Sequence, residues 1–215
     1  MLRLETLNVA IQSVQILRDV SLEVPTGSMT GLVGRNGAGK TTLMKSVMGL
    51  LPVSSGSLAF DGTDLLKTPT HGRTRLGIGY MPEDRRLVPE LTVEENMLVP
   101  AWAARLPDSA ARLEKVYTLI PEARRFATHR GLQLSGGQQK LAALGRALIC
   151  GTRLLLLDEP FEGVAPALAQ RLAEVIAGLK QEGMSVLLSE CNLQHSRRLA
   201  DRIVAIDRGS IIARD

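Results

Sequence analysis

Met29-Thr30-Gly31-Leu32-Val33-Gly34-Arg35-Asn36-Gly37-Ala38-Gly39-Lys40-Thr41-Thr42 reads as a short apolar strand, a glycine-rich loop and the opening of a helix that stops at Gly49. Glycines at 34, 37 and 39 let successive backbone N–H groups point into one concavity, and the helix N-terminus behind them adds partial positive charge. Such a cradle holds phosphate oxygens. In it Lys40 would reach the terminal phosphates of a nucleotide and the Thr41 hydroxyl would ligate Mg2+. Gly34 to Thr42 therefore form the candidate nucleotide-binding loop. A glycine turn that merely starts a helix is the plainer alternative, and the strand before the loop argues against it.

Two further stretches carry chemistry. Leu154-Leu155-Leu156-Leu157 suits a buried strand, so Asp158 and Glu159 emerge at its C-terminal end, where open α/β sheets place ligands. Asp158 would hold Mg2+ through water, and Glu159 would polarise the attacking water or take its proton. A polar strand end capping the next helix is the simpler reading, and the phosphate loop weighs against it. Leu134-Ser135-Gly136-Gly137-Gln138-Gln139 opens another helix, whose N–H groups and Ser135 hydroxyl make a second anion site. Ser135 and Gln138 also have capping-box spacing, and the two readings are compatible. One chain needs no second phosphate site for one nucleotide, unless that site serves another molecule's nucleotide.

Around these motifs, strands alternate with helices. Residues 2–24 read as two or three strands broken near Gln12-Ser13, with further strands at Ser57–Phe60, Leu76–Met81, Val186–Leu188, Ile203–Ile206 and Ser210–Ala213. From Pro89 the pattern turns helical. Thr92 and Glu95 form a capping box, Asp108 is placed to cap a helix ending before Pro121, and Ser135 caps one that runs to Cys150. The helix Pro166–Leu179 follows. The fold class is α/β: a phosphate-loop nucleotide-hydrolase (P-loop NTPase) core with a mostly parallel sheet, an N-terminal antiparallel β subdomain and a helical insertion lobe. The expected division of the single domain is core at about 1–86 and 143–215, lobe at about 87–142.

Composition narrows the classes. With 215 residues, 45% hydrophobic and only 3% aromatic, the chain can bury one aliphatic core. The 26 Lys+Arg against 22 Asp+Glu are scattered, and no basic run is interleaved with aromatics, so no nucleic-acid partner is expected. Cys150 and Cys191 have no metal-like spacing, as in a reduced intracellular protein. The start lacks the pattern of a secretory signal, and no apolar run approaches the ~18–20 residues of a membrane span. A membrane role would come through a partner.

Taken together, the phosphate loop, Ser135-Gly136-Gly137-Gln138 and Asp158-Glu159 resemble the ATP-binding-cassette (ABC) ATPases, over essentially the whole chain. The resemblance implies that Ser135 and Gly137 of one subunit contact the γ-phosphate bound by Lys40 of another, so that two subunits close around two Mg·ATP. It places Phe161 to Pro166 at the loop joining the two sites. Met81 to Arg86, Leu91 to Asn96, Glu162 to Pro166 and Ser189 to Asn192 ahead of Leu199 to Arg202 are similar to the ATPases of branched-chain amino acid and urea-type importers. Many relatives continue for another helix or so beyond the position of Asp215.

Three positions depart from the family pattern. Glu83 stands where a glutamine commonly senses Mg2+ and water. Cys191 stands where a histidine hydrogen-bonds the γ-phosphate; a thiol is a weak donor. His195, a turn further on, is read as a surface histidine or one facing the partner. Near Ala10-Ile11 the aromatic that stacks on adenine is missing; Ile11 supplies apolar contact but forfeits on the order of 0.5–1.5 kcal/mol. The resulting expectation is a slow but active ATPase of an importer for amino acids or a similar small polar solute. It would sit in the cytoplasm against the inner face of the plasma (inner) membrane. Its partners would be a second cassette, the same or different, and a separate permease. The alternatives are a weakened ATP-binding partner cassette and a soluble cassette outside transport.

Overall fold

The computed structural model describes residues 1–191 and 193–214, apart from the side chains of Leu193, His195 and Arg214. Asn192 and the His195 side chain, both singled out from the sequence, thus lie outside the described residues. Period-two alternation at the start gives two long antiparallel strands, β1 (Leu2–Ile11) and β2 (Val14–Val24). Gln12 and Ser13 join them with φ of 47° and 67°, the positive pair that matches hairpin twist. The parallel-sheet strand β3 (Met29–Val33) leads into α1 (Lys40–Val47). Then come β4 (Ser55–Phe60), the short β5 (Thr63–Asp64), α2 (Thr70–Arg75) and β6 (Ile78–Met81).

The helical stretch comprises α3 (Val93–Ala103), α4 (Ser109–Leu119), α5 (Pro121–Arg125) and α6 (Gly136–Cys150). The chain closes with β7 (Leu154–Asp158), α7 (Pro166–Gln181), β8 (Ser185–Glu190), α8 (Leu193–Leu199), β9 (Arg202–Asp207) and β10 (Ser210–Arg214). Among the described residues these strands form two sheets. One is antiparallel, in the order β2-β1-β4-β5; the other runs β10-β9-β3-β8-β7-β6 and is parallel except at β10.

The central sheet is covered on both faces, and its strand sequences show why they read as unbroken apolar runs. Leu154 and Leu156 of β7 pack with α1 and the antiparallel sheet. Leu155 and Leu157 pack with α3, α4, α6 and α7. Leu187 and its neighbours Val186 and Leu188 divide the same way in β8. Each of these buried leucines contributes roughly 1.5–3 kcal/mol.

Helix ends follow local chemistry. Thr92 Oγ1 accepts from Glu95 N–H at 3.2 Å, and Glu95 Oε2 accepts from Thr92 N–H at 2.7 Å. Asp108 departs from expectation. It occupies the N-cap position of α4, but at φ 58° its side chain makes no capping hydrogen bond. The short α2 was not legible; it carries buried Arg73, whose guanidinium donates to the Ser46 and Val47 carbonyls at 2.7 Å and so closes the end of α1. α6 runs across the expected boundary at 142, and its backbone presses on β6: a Cβ at Gly79 would stand 2.1 Å from Ala147 O.

Candidate functional site

β3 delivers the glycine loop to the C-terminal edge of the parallel sheet. Gly34 N–H donates to Glu190 O at 3.2 Å, tying the loop to the end of β8. Gly37 and Gly39 take φ of 80° and 112°, a region costly for a residue bearing Cβ. Gly39 is also the N-cap of α1, with no side-chain cap and no acidic residue in the first turn. The leading N–H groups of α1 are therefore left for an anion.

Two clefts flank the loop. One, of about 450 Å³, is lined by Asn36, Gly37, Gly39, Lys40, Thr41 and Thr42, with Ile16, Glu83 and Glu159 across from them. The other, of about 740 Å³, is lined by Gly34, Arg35 and Ala38 together with Cys191 and the β9–β10 turn. The loop residues singled out from sequence thus converge. Ile11, 37% exposed at the end of β1, lines neither cleft; Ile16 does.

Lys40 and Glu159 meet in the first cleft. The Lys40 ammonium donates to the Gly34 and Arg35 carbonyls at 2.6 and 3.1 Å and lies 3.1 Å from Glu159 Oε1, with both side chains nearly closed to solvent. The Cys191 thiol reaches both Glu159 carboxylate oxygens at 3.1 Å and Asn36 Oδ1 at 2.6 Å. Burial pushes Glu159 upward, but the Cys191 and Lys40 contacts outweigh it and hold the carboxyl below its ordinary pKa. Burial and the Glu159 carboxylate push Cys191 up to about 11, so at neutral pH it is a thiol and a donor.

Asp158, fully buried, accepts from Ser189 Oγ at 2.6 Å and Tyr80 OH at 3.3 Å. Burial and the Asp158 charge raise the Tyr80 phenol well above its usual range, keeping it a donor.

The helix start at Ser135 is built as a capping box: Ser135 Oγ accepts from Gln138 N–H at 3.3 Å, and Gln138 Oε1 accepts from Ser135 N–H at 2.9 Å. Ser135 and Gly136 are exposed, and none of Ser135, Gly136, Gly137 or Gln138 lines either cleft. The second anion site is therefore not brought to the first within one chain. The family model described as "ABC transporter" matches residues 17–162.

The chain belongs to the ABC transporter family.

As a member it is an ATP-binding cassette and an ATPase. It is 37% identical over its whole length, and over 92% of the relative's, to the high-affinity branched-chain amino acid transport ATP-binding protein BraG of Pseudomonas aeruginosa. It is 34% identical, over 98% of this chain and 90% of the relative, to the probable branched-chain amino acid transport ATP-binding protein LivF of Archaeoglobus fulgidus. The same identity, over 97% and 88%, holds for the lipopolysaccharide export system ATP-binding protein LptB of Haemophilus influenzae. Among solved structures, an ATP binding subunit of an ABC transporter superposes at TM-score 0.87 with 29% identity, covering 100% of this chain and 89% of that one. A dimeric cassette in a post-hydrolysis state with ADP and Pi shares the fold at TM-score 0.89 and 23% identity, covering 100% and 98%.

Within this ABC cassette several residues were given no individual role from the sequence. Ser189 and Tyr80 hold Asp158, and Lys140 of α6 is buried with its ammonium 2.8 Å from Glu159 O. Glu190 is buried, with Oε1 lacking a hydrogen-bond partner; burial and the Glu159 charge push its carboxyl up to about 7. Strand-end position was the one available signal for Ser189 and Glu190. For Lys140 there was none, because its partner is a main-chain oxygen distant in sequence.

Proposed function

We propose that this chain is the ATP-hydrolysing subunit of an importer, driving a separate membrane permease for amino acids or a similar small polar solute. The observation that carries the reading is the separation of Ser135-Gly136-Gly137 from the cleft that Lys40 and Glu159 line and from the one beside it. A second anion site turned away from the first serves a second cassette, so the active unit is a pair closed around two ATP molecules. The loop Gly34 to Thr42 holds the phosphates, Lys40 leaves Glu159 to pair with them, and the freed Glu159 carboxylate takes a proton from the attacking water. Ser135 and Gly137 of the partner close over the γ-phosphate. Glu83, in the same cleft, would face the attacking water and Mg2+.

Mg2+ would supply charge neutralisation on the phosphates. Thr41, which lines the cleft, and Asp158, buried one residue before Glu159, are the residues that would hold it: one hydroxyl directly and one oriented carboxylate through water leave the remaining positions to water and phosphate oxygens, as Mg2+ prefers. The core and the helical lobe, joined through α6 across the expected boundary, would shift against each other during closure. Between them lies a largely apolar groove of about 320 Å³, lined by Met48, Leu50, Ile78, Tyr80, Pro82 and Pro100, with Arg86 and Arg146 beside them. It suits a short helix of the permease. No helix among the described residues is long and apolar enough to cross a membrane, so attachment to the inner face of the membrane rests on that partner.

Amino acid transport is favoured by the 37% identity to BraG, and lipopolysaccharide export by the 34% identity to LptB. Co-purification of the chain from native membranes, followed by ATP-driven uptake in proteoliposomes, decides. An associated permease that takes up amino acids supports the proposal. An associated lipopolysaccharide export complex overturns it.

A further inference from the structure

Glu159 sits at φ 48°, in the left-handed region that residues with a Cβ avoid. Such a conformation persists where its surroundings over-determine it. Here both faces of the residue's backbone are held. Its N–H lies 3.2 Å from Ser189 O and from Ser189 Oγ, at the end of β8. Its carbonyl accepts from Glu162 N–H at 3.2 Å and from the Lys140 ammonium at 2.8 Å.

Lys140 is 1% exposed, a burial that an ammonium tolerates only with partners. Burial and the Arg85 charge draw its pKa down, while Glu162, Glu190 and Glu83 support its charge. The helix that carries it is α6, whose exposed first turn holds Ser135 and Gly136. The far end of α6 is pinned, because Gly79 and Gly151 let its backbone touch β6. A movement of the first turn is therefore passed along a rigid rod to Lys140 rather than absorbed at the base.

We propose that Lys140 is a positioning residue for Glu159, through which the helix serving the partner's nucleotide sets the aim of the carboxylate serving this chain's own. This rests on the reading of Glu159 as the base. When a second cassette's phosphate draws on Ser135 and Gly137, the pull reaches the Glu159 carbonyl through one hydrogen bond. Each site then becomes competent as the other fills.

The test compares Lys140→Met, Lys140→Arg and Glu159→Gln in the full chain, measuring ATP hydrolysis and, separately, binding of a fluorescent ATP analogue. Lys140→Met should lower kcat at least about tenfold with analogue affinity within about threefold, and Lys140→Arg should restore kcat to within about threefold of wild type. A Lys140→Met chain that hydrolyses at the wild-type rate overturns the proposal, as does a joint fall of kcat and affinity that Lys140→Arg does not rescue. If Lys140→Met does not fold, Lys140→Gln takes its place: a low rate beside a near-normal Lys140→Arg supports the role, and equal rates overturn it. Full activity in Glu159→Gln would instead remove the base assignment itself, a result separate from any failure at Lys140.

Discussion

At the scale of single residues, the site is organised by charge and by who donates to Glu159. The Cys191 thiol is protonated and shares Glu159 with Lys40, so it shapes the resting site more than the phosphate contact. An S–H···O contact is worth about half of an ordinary hydrogen bond, so Cys191→Ala should leave kcat within about fivefold. Cys191→His should raise it, since imidazole is a stronger donor to phosphate. Steady-state phosphate release checks both, and abolished turnover in Cys191→Ala would show the thiol to be indispensable. Glu190 gives a pH prediction. Its folded pKa of about 7 exceeds the ordinary 4.5, so across that window the folded chain holds a proton the unfolded chain has lost. Its contribution to stability falls as pH rises from about 4.5 to 7. Glu190→Gln should remove this slope and, at pH 8, be the more stable by up to about 3 kcal/mol, read from urea unfolding at several pH values. Lys40, Asp158 and Glu159 could be singled out in the sequence because each sits in a local motif. Lys140 and Glu190 could not, because burial and a distant main-chain partner give them their character.

At the scale of elements, alternation and capping were legible and short irregular pieces were not. The Thr92–Glu95 box is present as its spacing suggested, and it starts α3 next to the segment carrying Glu83. Thr92→Ala should cost about 1 kcal/mol and lower the melting temperature by a few degrees, by differential scanning fluorimetry, with ATP binding unchanged. The strand pattern located β3, β7 and β8 because the middle of a strand buried on both faces is mostly apolar, with polar residues kept to its ends or hydrogen-bonded. Asp108 shows the limit of the same logic: a capping residue type at the right offset makes no cap when its own backbone is left-handed. α2 has too few residues for a helical period to show, and only the packed structure reveals why Arg73 lies beneath it.

At the scale of the whole molecule, the decisive geometry is incompleteness. In the proposed reading the phosphate loop with Glu159 is one half of a site and the Ser135 turn is the other; within one chain the Ser135 turn lines neither cleft beside the loop. Glu159→Gln incubated with Mg·ATP should therefore elute as a dimer in size-exclusion chromatography, and a second substitution, Ser135→Arg, should return it to monomer. A dimer that forms equally without nucleotide would contradict this. The doubled glycine motifs are what raise this expectation in the sequence.

The β1–β2 hairpin has one more consequence. Ile11 and Val14 stand exposed on either side of Gln12-Ser13, and Ile16 lines the cleft beside the phosphate loop. Aliphatic surface covers a purine ring without reading its edge, since it offers no pattern of donors and acceptors to match. Purine selectivity should accordingly be weak. GTP should sustain turnover within about tenfold of ATP, and the identity of the fuel would be set by its abundance in the cell and not by the hairpin.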